Sequence, residues 1–308
     1  MKSLKFLLLF MSFTTLFTAC SEEDETPVVA KSVVDVVVDN PNFTLLEAAV
    51  IHAGLVDALK NPAITVFAPT DDAFKAAGFA TEAAIKAADK TVISSILQNH
   101  VIGSLVPASA IQVKDNAEVL SLNAAKLYVT KNASGVSVNG ANVTTADVKA
   151  ENGAIIHIIN AVLLTETKNI VALAQSNPNL SYLVAAVLRA NEGSTKVVTV
   201  LSGAGPLTVF APTNAAFIKA GFPTVASIQA ADPNLLAGIL TYHVVAARVY
   251  STNLVTGNAT TANGATLGVN SANATLKGKS NTGDSKITAV NIPASNGVVH
   301  VIDTVLLP

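Results

Sequence analysis

The sequence contains one cysteine, Cys20, no tryptophan, and two arginines, Arg189 and Arg248. A single cysteine excludes an intramolecular disulfide and a thiolate zinc cluster. Charged residues make up 13% of the 308 positions and aromatic residues 5%. A nucleic-acid binder needs a basic face and stacking aromatics. With 19 Lys and Arg against 21 Asp and Glu the chain has neither, and no nucleic-acid partner is expected. The five histidines show no metal-ligand spacing, so no metal and no other cofactor is expected. There is no G-x-S-x-G elbow, S-x-x-K, H-E-x-x-H, P-loop or G-x-G-x-x-G. These absences point away from an enzyme and toward a structural or binding protein. What is present is apolar: half of all residues, enough to exclude a disordered polyelectrolyte. The length suggests two domains.

The first residues read as an address. A basic start (Lys2, Lys5) leads into an apolar run from Phe6 to Phe17 and then Thr18-Ala19-Cys20. The run is shorter than the ~20 apolar residues of a spanning helix and has the form of a secretory signal over residues 1–19. Cys20 stands where a bacterial lipoprotein signal puts its lipid-modified cysteine, and lipidation there is expected; ordinary secretion with an incidental cysteine is the alternative. Residues 20–30 form a tether carrying Glu22, Glu23, Asp24 and Glu25, which account for the acidic excess left once the signal is removed. An acidic run directly after the lipid cysteine resembles the surface-export signal of Bacteroidetes lipoproteins. It implies an outer-membrane lipoprotein at the cell surface, with a periplasm-facing one as the alternative.

The rest is a tandem repeat. Thr65-Val66-Phe67-Ala68-Pro69-Thr70 and Phe74 recur 143 residues later as Thr208-Val209-Phe210-Ala211-Pro212-Thr213 and Phe217. Asn99-His100-Val101 and Tyr242-His243-Val244 share that offset, as do His157 and His300. Near the start of each copy, Asn40-Pro41-Asn42 matches Asn177-Pro178-Asn179 at an offset of 137, so six residues are inserted between Arg189 and Pro206. Gly203-Ala204-Gly205, within that insertion, reads as a flexible loop. The boundaries are residues 31–165 and 166–308, each large enough to bury its own core, and a cut near Lys168 is expected to cross few contacts.

Each copy begins with helical patterns. Ser32 opens one, Thr44-Leu45-Leu46-Glu47 reads as a capping box for the next, and Thr70 and Thr81 are candidate caps. Ile93, Ile96, Leu97 and His100 stand at helical spacing, repeated by Leu236, Ile239, Leu240 and His243. Ile64–Ala68 is an early strand ended by Pro69, which cannot donate to a ladder. Later strands are expected at 119–122, 127–130, 136–138, 142–145 and 155–164, separated by Asn, Gly and Ser clusters. Helices first and strands later make the chain α+β with a mainly antiparallel sheet. Asn132, Asn142, Asn258 and Asn273 head N-x-Ser/Thr triplets that read as turns.

The Thr-Val-Phe-Ala-Pro-Thr box, the His-Val after an apolar helix and the closing Asn-Gly-x-x-His strand together resemble the fasciclin domain family, and both copies carry them in order. The resemblance implies two tandem domains, each a mainly antiparallel β-sandwich or wedge flanked by helices. It implies adhesion or matrix binding outside the cell, with an extracellular protein or polysaccharide as partner and no catalysis. Tyr242-His243 resembles a segment tied to adhesion in animal members, as do Asp147-Val148 and Asn291-Ile292. These six are the candidate adhesion surface, although packing is the favoured reading for the histidines. Thr65, Phe67, Pro69, Thr70, Phe74, His100, His157, Thr208, Phe210, Pro212, Thr213, Phe217, His300 and Asp303 read as scaffold. Asn160 stands where the family has the aspartate that Asp303 supplies. The rival function is a carrier of a small apolar ligand between helices and sheet. It requires a cavity of about 300 Å3 or more.

Overall fold

A computed structural model describes residues 30–165 and 167–308; the leader, Cys20 and the acidic residues after it lie outside the described residues. Lys31–Pro308 form one compact unit built from two copies of the same fold. The first copy runs α1 (Val33–Val38), α2 (Thr44–Ala53), β1 (Thr65–Pro69), α3 (Asp71–Ala76), α4 (Glu82–Ala87), α5 (Lys90–Asn99), β2 (Val101–Ile102), β3 (Lys114–Leu120), β4 (Lys126–Asn132), β5 (Gly135–Val138), β6 (Ala141–Lys149) and β7 (Ile155–Ile159). The second runs α6 (Ile170–Gln175), α7 (Ser181–Ala190), α8 (Val197–Ser202), β8 (Leu207–Pro212), α9 (Asn214–Lys219), α10 (Val225–Gln229), α11 (Pro233–Tyr242), β9 (Val244–Val245), β10 (Gly257–Thr260), β11 (Thr266–Asn270), β12 (Thr275–Lys277), β13 (Ser285–Ala294) and β14 (Gly297–Ile302).

Each copy holds one seven-stranded sheet, ordered β2-β1-β7-β6-β5-β4-β3 and β10-β11-β12-β13-β14-β8-β9. The early strand enters the centre, parallel to the last (β1 with β7, β8 with β14); every other pairing is antiparallel. A parallel pair needs a long crossover, and the helices between β1 and the later strands supply it. All five residues of β1 are buried because its two faces serve two cores. Val66 and Ala68 pack with the helical layer, including Leu46, Ala49 and Ile93. Phe67 faces the other way, among Leu127, Val129, Val138 and Ile159 inside the wedge.

Several local expectations change. Asn142 and Asn258 lie inside β6 and β10 and not in turns, paired across to neighbouring strands. Thr44 does not cap α2: the 3-10 turn of Pro41–Phe43 runs straight into the helix. The Thr44 hydroxyl instead donates to Asp71 Oδ2 (2.7 Å), and Asp71 Oδ1 accepts the Leu45 N–H (2.8 Å). The cap is therefore delivered from α3, out of reach of local sequence reading. The last strand stops at Ile159 rather than 164: Asn160 N–H still donates to Asn142 O (3.2 Å), but Asn142 N–H is received by the Asn160 side-chain oxygen (2.8 Å) and not by its carbonyl. The Gly203–Gly205 loop is pinned: Asn296 Nδ2 donates to the carbonyls of Leu201 and Gly203, each at 2.8 Å. Gly205 (φ +71°) lies so close to the Asn296 carbonyl that no Cβ fits.

Candidate functional site

The repeated histidines sit on the frame that joins helices to sheet. His100 ends α5, with Nδ1 2.7 Å from the Ile96 carbonyl and Nε2 2.8 Å from the Leu163 N–H. His243 repeats this with Ile239 O (2.8 Å) and Leu306 N (2.9 Å). Each ring donates from Nδ1 and accepts at Nε2, which requires the neutral form. Burial pushes both pKa values down to about 4. His157 and His300 lie on β7 and β14, opposite Phe67 and Phe210 in the parallel register, with ring centroids 5.6 Å apart in both copies. Their Nε2 atoms donate to Val106 O and Val249 O, both at 2.9 Å. Their Nδ1 atoms accept from the N–H of Asp147 (3.3 Å) and Asn291 (3.4 Å). Burial lowers the His300 pKa as well. Both nitrogens of all four rings are thus engaged with backbone, leaving no lone pair for a metal or a substrate proton. Among the described residues, no three His, Cys, Asp or Glu side chains are grouped to hold a metal ion.

The candidate adhesion surface is largely internal. Tyr242 and His243 are 0% and 1% exposed, so neither presents itself to a partner. The Tyr242 hydroxyl donates to Thr266 O (2.7 Å) and accepts from Lys279 N (3.1 Å). Asn99, its counterpart, does the same kind of work in less volume, donating to Leu163 O (3.0 Å) and accepting from Ser121 Oγ. Val148 and Ile292 pack against the helical cores. Only Asp147 of the six is exposed, and its Oδ1 holds Ala108 N at 2.9 Å. Asn160 and Asp303 prove equivalent, each accepting one strand N–H (2.8 and 2.9 Å) through a side-chain oxygen. The box threonines act alike: Thr65 bridges Ser104 O and Val106 N, and Thr208 bridges Ala247 O and Val249 N.

Asn291 is where the copies part. Its Oδ1 holds Ser251 N (2.7 Å), as Asp147 holds Ala108 N, but its amide nitrogen reaches the first copy and donates to Gly140 O (3.1 Å). An aspartate has no hydrogen to give there. Around it, Asn116 Nδ2 donates to Arg248 O (2.8 Å), Asn132 Nδ2 to Thr252 O (3.2 Å), and Ser137 Oγ to Thr252 Oγ1 (3.0 Å). Asn253 Nδ2 reaches Asp115 (2.9 Å) and Thr130 (3.0 Å). The Arg248 guanidinium lies 4.3 Å from the centre of the Tyr128 ring, a cation–π contact in a setting where Arg248 is 8% exposed. A cut near Lys168 therefore crosses a hydrogen-bonded junction, contrary to expectation. Asn291 stood among the candidates for another role, but repeat matching passed over Asn116, Thr252 and Asn253 because it looks for sameness; the signal available was that Arg248, Tyr250 and Tyr128 each lack a like residue in the other copy.

Asn291→Asp should remove the donor to Gly140 and set a carboxylate against a carbonyl. The expected loss is about 1–3 kcal/mol of coupling between the copies. Calorimetry should resolve two unfolding transitions where the native protein shows one; an unchanged single transition would contradict the role given to Asn291.

The pockets between helices and sheet are small: about 80 Å3 beside Val209, Phe210 and His243, and about 20 Å3 at the matching place in the first copy. Both fall short of the ~300 Å3 a carrier of a drug-sized ligand needs.

A family model described as fasciclin domain matches residues 41–165 and 179–308. A Synechocystis protein, sll1483, is 36% identical over 155 residues, which cover 49% of this chain and 79% of that one. The cell surface glycolipoprotein MPB83 of Mycobacterium bovis is 37% identical over 135 residues, 44% of this chain and 58% of its own length. The solved FAS1 domain pair of the insect cell adhesion molecule fasciclin I aligns over 86% of this chain and 96% of its own, with 19% identity and a TM-score of 0.41.

Proposed function

This chain belongs to the fasciclin domain family, whose domains are non-enzymatic adhesion modules, and from that premise we propose that it is a lipid-anchored binding protein of the cell exterior. It would hold the cell to extracellular protein or polysaccharide, as in matrix or biofilm assembly, without catalysing a reaction. The observation that carries this reading is the double use of the fold: two complete fasciclin domains whose four repeated histidines are spent on backbone hydrogen bonds. A scaffold of this kind offers surface, not a reaction centre. Two modules on one tether raise avidity for a repeated ligand. Among the described residues no helix is long and apolar enough to cross a membrane. The support for an anchor is Cys20 itself, which follows the apolar run of residues 6–17.

Cells displaying the full chain should be retained on matrix material from their own culture. Cys20→Ser should shift the protein from the membrane fraction to the soluble one and abolish that retention. Protein that stays membrane-bound after the substitution would defeat the anchor; retention indifferent to the protein's presence would defeat adhesion. Protease treatment of intact cells separates surface display from a periplasm-facing protein.

A further inference from the structure

The junction between the domains also forms a groove that neither domain has alone, about 340 Å3 in volume. Asn132, Ser134 and Asn142 line it from the first domain, and Ser251, Thr252 and Ser271 from the second. Among the described residues, no charged side chain lines it. The junction hydrogen bonds from Asn132 and Ser137 to Thr252 tie its two walls together, so the opening is a built feature of the paired domains. Two of its polar side chains, Ser134 and Asn142, are exposed and have no protein partner among the described residues. Ser251 Oγ accepts from Asn291 Nδ2 (2.8 Å) and keeps its own proton to donate. Half-buried Val136 and Leu254 add two apolar patches among the hydroxyls and amides.

This lining selects a chemical class. A charged ligand would give up hydration with no counter-charge to meet it. An apolar ligand would strip water from hydroxyls and amides without replacing their hydrogen bonds. A ligand suits the groove when it is neutral, carries groups that both donate and accept, and has C–H faces to lay on Val136 and Leu254. Serine hydroxyls and the asparagine amide both donate and accept, which matches the hydroxyls of a sugar ring. We propose that this interdomain groove binds a neutral polysaccharide, with Ser134 and Asn142 as direct contacts. The assignment rests on the adhesion reading above and names its ligand class. Water bridging complements such contacts, and modest affinity per sugar multiplies along a repeating polymer.

The test measures retention of the full chain on immobilised dextran, β-1,3-glucan and mannan, with alginate, heparin and gelatin alongside. Retention is expected on at least one neutral polymer and should be the same at low and high salt, because no ion pair is involved. Ser134→Ala combined with Asn142→Ala should weaken it about tenfold, the worth of two neutral hydrogen bonds. The melting curve should not move, since neither side chain bonds to the protein. Asn291→Asp, which loosens the junction from outside the groove lining, should weaken retention as well. The assignment is overturned if every neutral polymer fails to retain the protein, if retention survives the double variant, or if alginate, heparin or gelatin binds better. Cells that still adhere through the chain while the purified protein ignores all three neutral polymers would leave adhesion standing and overturn the groove alone.

Discussion

Acidification from pH 7 to pH 4 should strip about 3 kcal/mol from each domain through His100 and His243 alone. Both side chains are neutral in the fold, with pKa values pushed to about 4, against an ordinary value of 6.5. As pH falls below 6.5 the unfolded chain takes up a proton at each site and the native chain does not, so unfolding gains free energy. Each shift is worth about 1.4 kcal/mol per pH unit across that window, and the loss levels off below pH 4, where the native rings protonate too. Against a typical total of about 5–15 kcal/mol the effect is large. His300, also held down by burial, adds to the loss in the second domain. The lowered carboxylates of Asp35 and Asp89 act in the same direction only below the ordinary carboxylate range. Urea midpoints measured from pH 7 to pH 4 would check this; a flat profile would mean that the rings are not held neutral by the fold.

His243→Ala should cost about 3 kcal/mol or more. The substitution orphans two buried backbone groups, the Ile239 carbonyl and the Leu306 N–H, at about 1–3 kcal/mol each, and leaves a gap in the packing. His100→Ala should cost a similar amount in the first domain, where Ile96 and Leu163 lose the same ring. Zinc should leave the melting temperature of the native protein unchanged, because a ligand that binds only the native state raises it. Binding should fall only as far as folding does. A variant that keeps its stability but loses adhesion would make the histidine functional, and so would a zinc-dependent rise that His243→Ala abolishes.

The scaffold was legible in the sequence wherever its determinants are local or duplicated. Thr70 caps α3 and Thr213 caps α9, because a threonine before a helical run announces itself. Repetition also marked both histidines of each domain, and their helix and strand settings favoured packing. Tyr242 misled because a motif carries no record of which way its side chain points; burial is decided by β11 and the loop at Lys279, both distant in sequence. The cap that Asp71 supplies to α2 was hidden for the same reason. The groove residues were the least legible. Ser134 and Asn142 fall in triplets that read as turns and Ser251 and Ser271 lie in no motif, and only the docking of one domain on the other gives them a common side.

Two similar modules joined through unlike faces carry a hazard. A head-to-tail contact leaves one free copy of each face at the ends, and such contacts propagate into fibres unless something stops them. Here the two copies differ at the residues that make the contact, which disfavours its repetition. The position matching Arg248 is Leu105, since Thr65 and Thr208 grip the loop at matching points on either side of it. The position matching Tyr128 is Gly268, each one residue after the fully buried Leu127 and Leu267. Asp147 replaces the amide of Asn291. A third module arriving at either end would meet no cation, no ring to receive one, and no donor for the carbonyl. The pairing of these two domains is thus carried by residues that the opposite copy lacks.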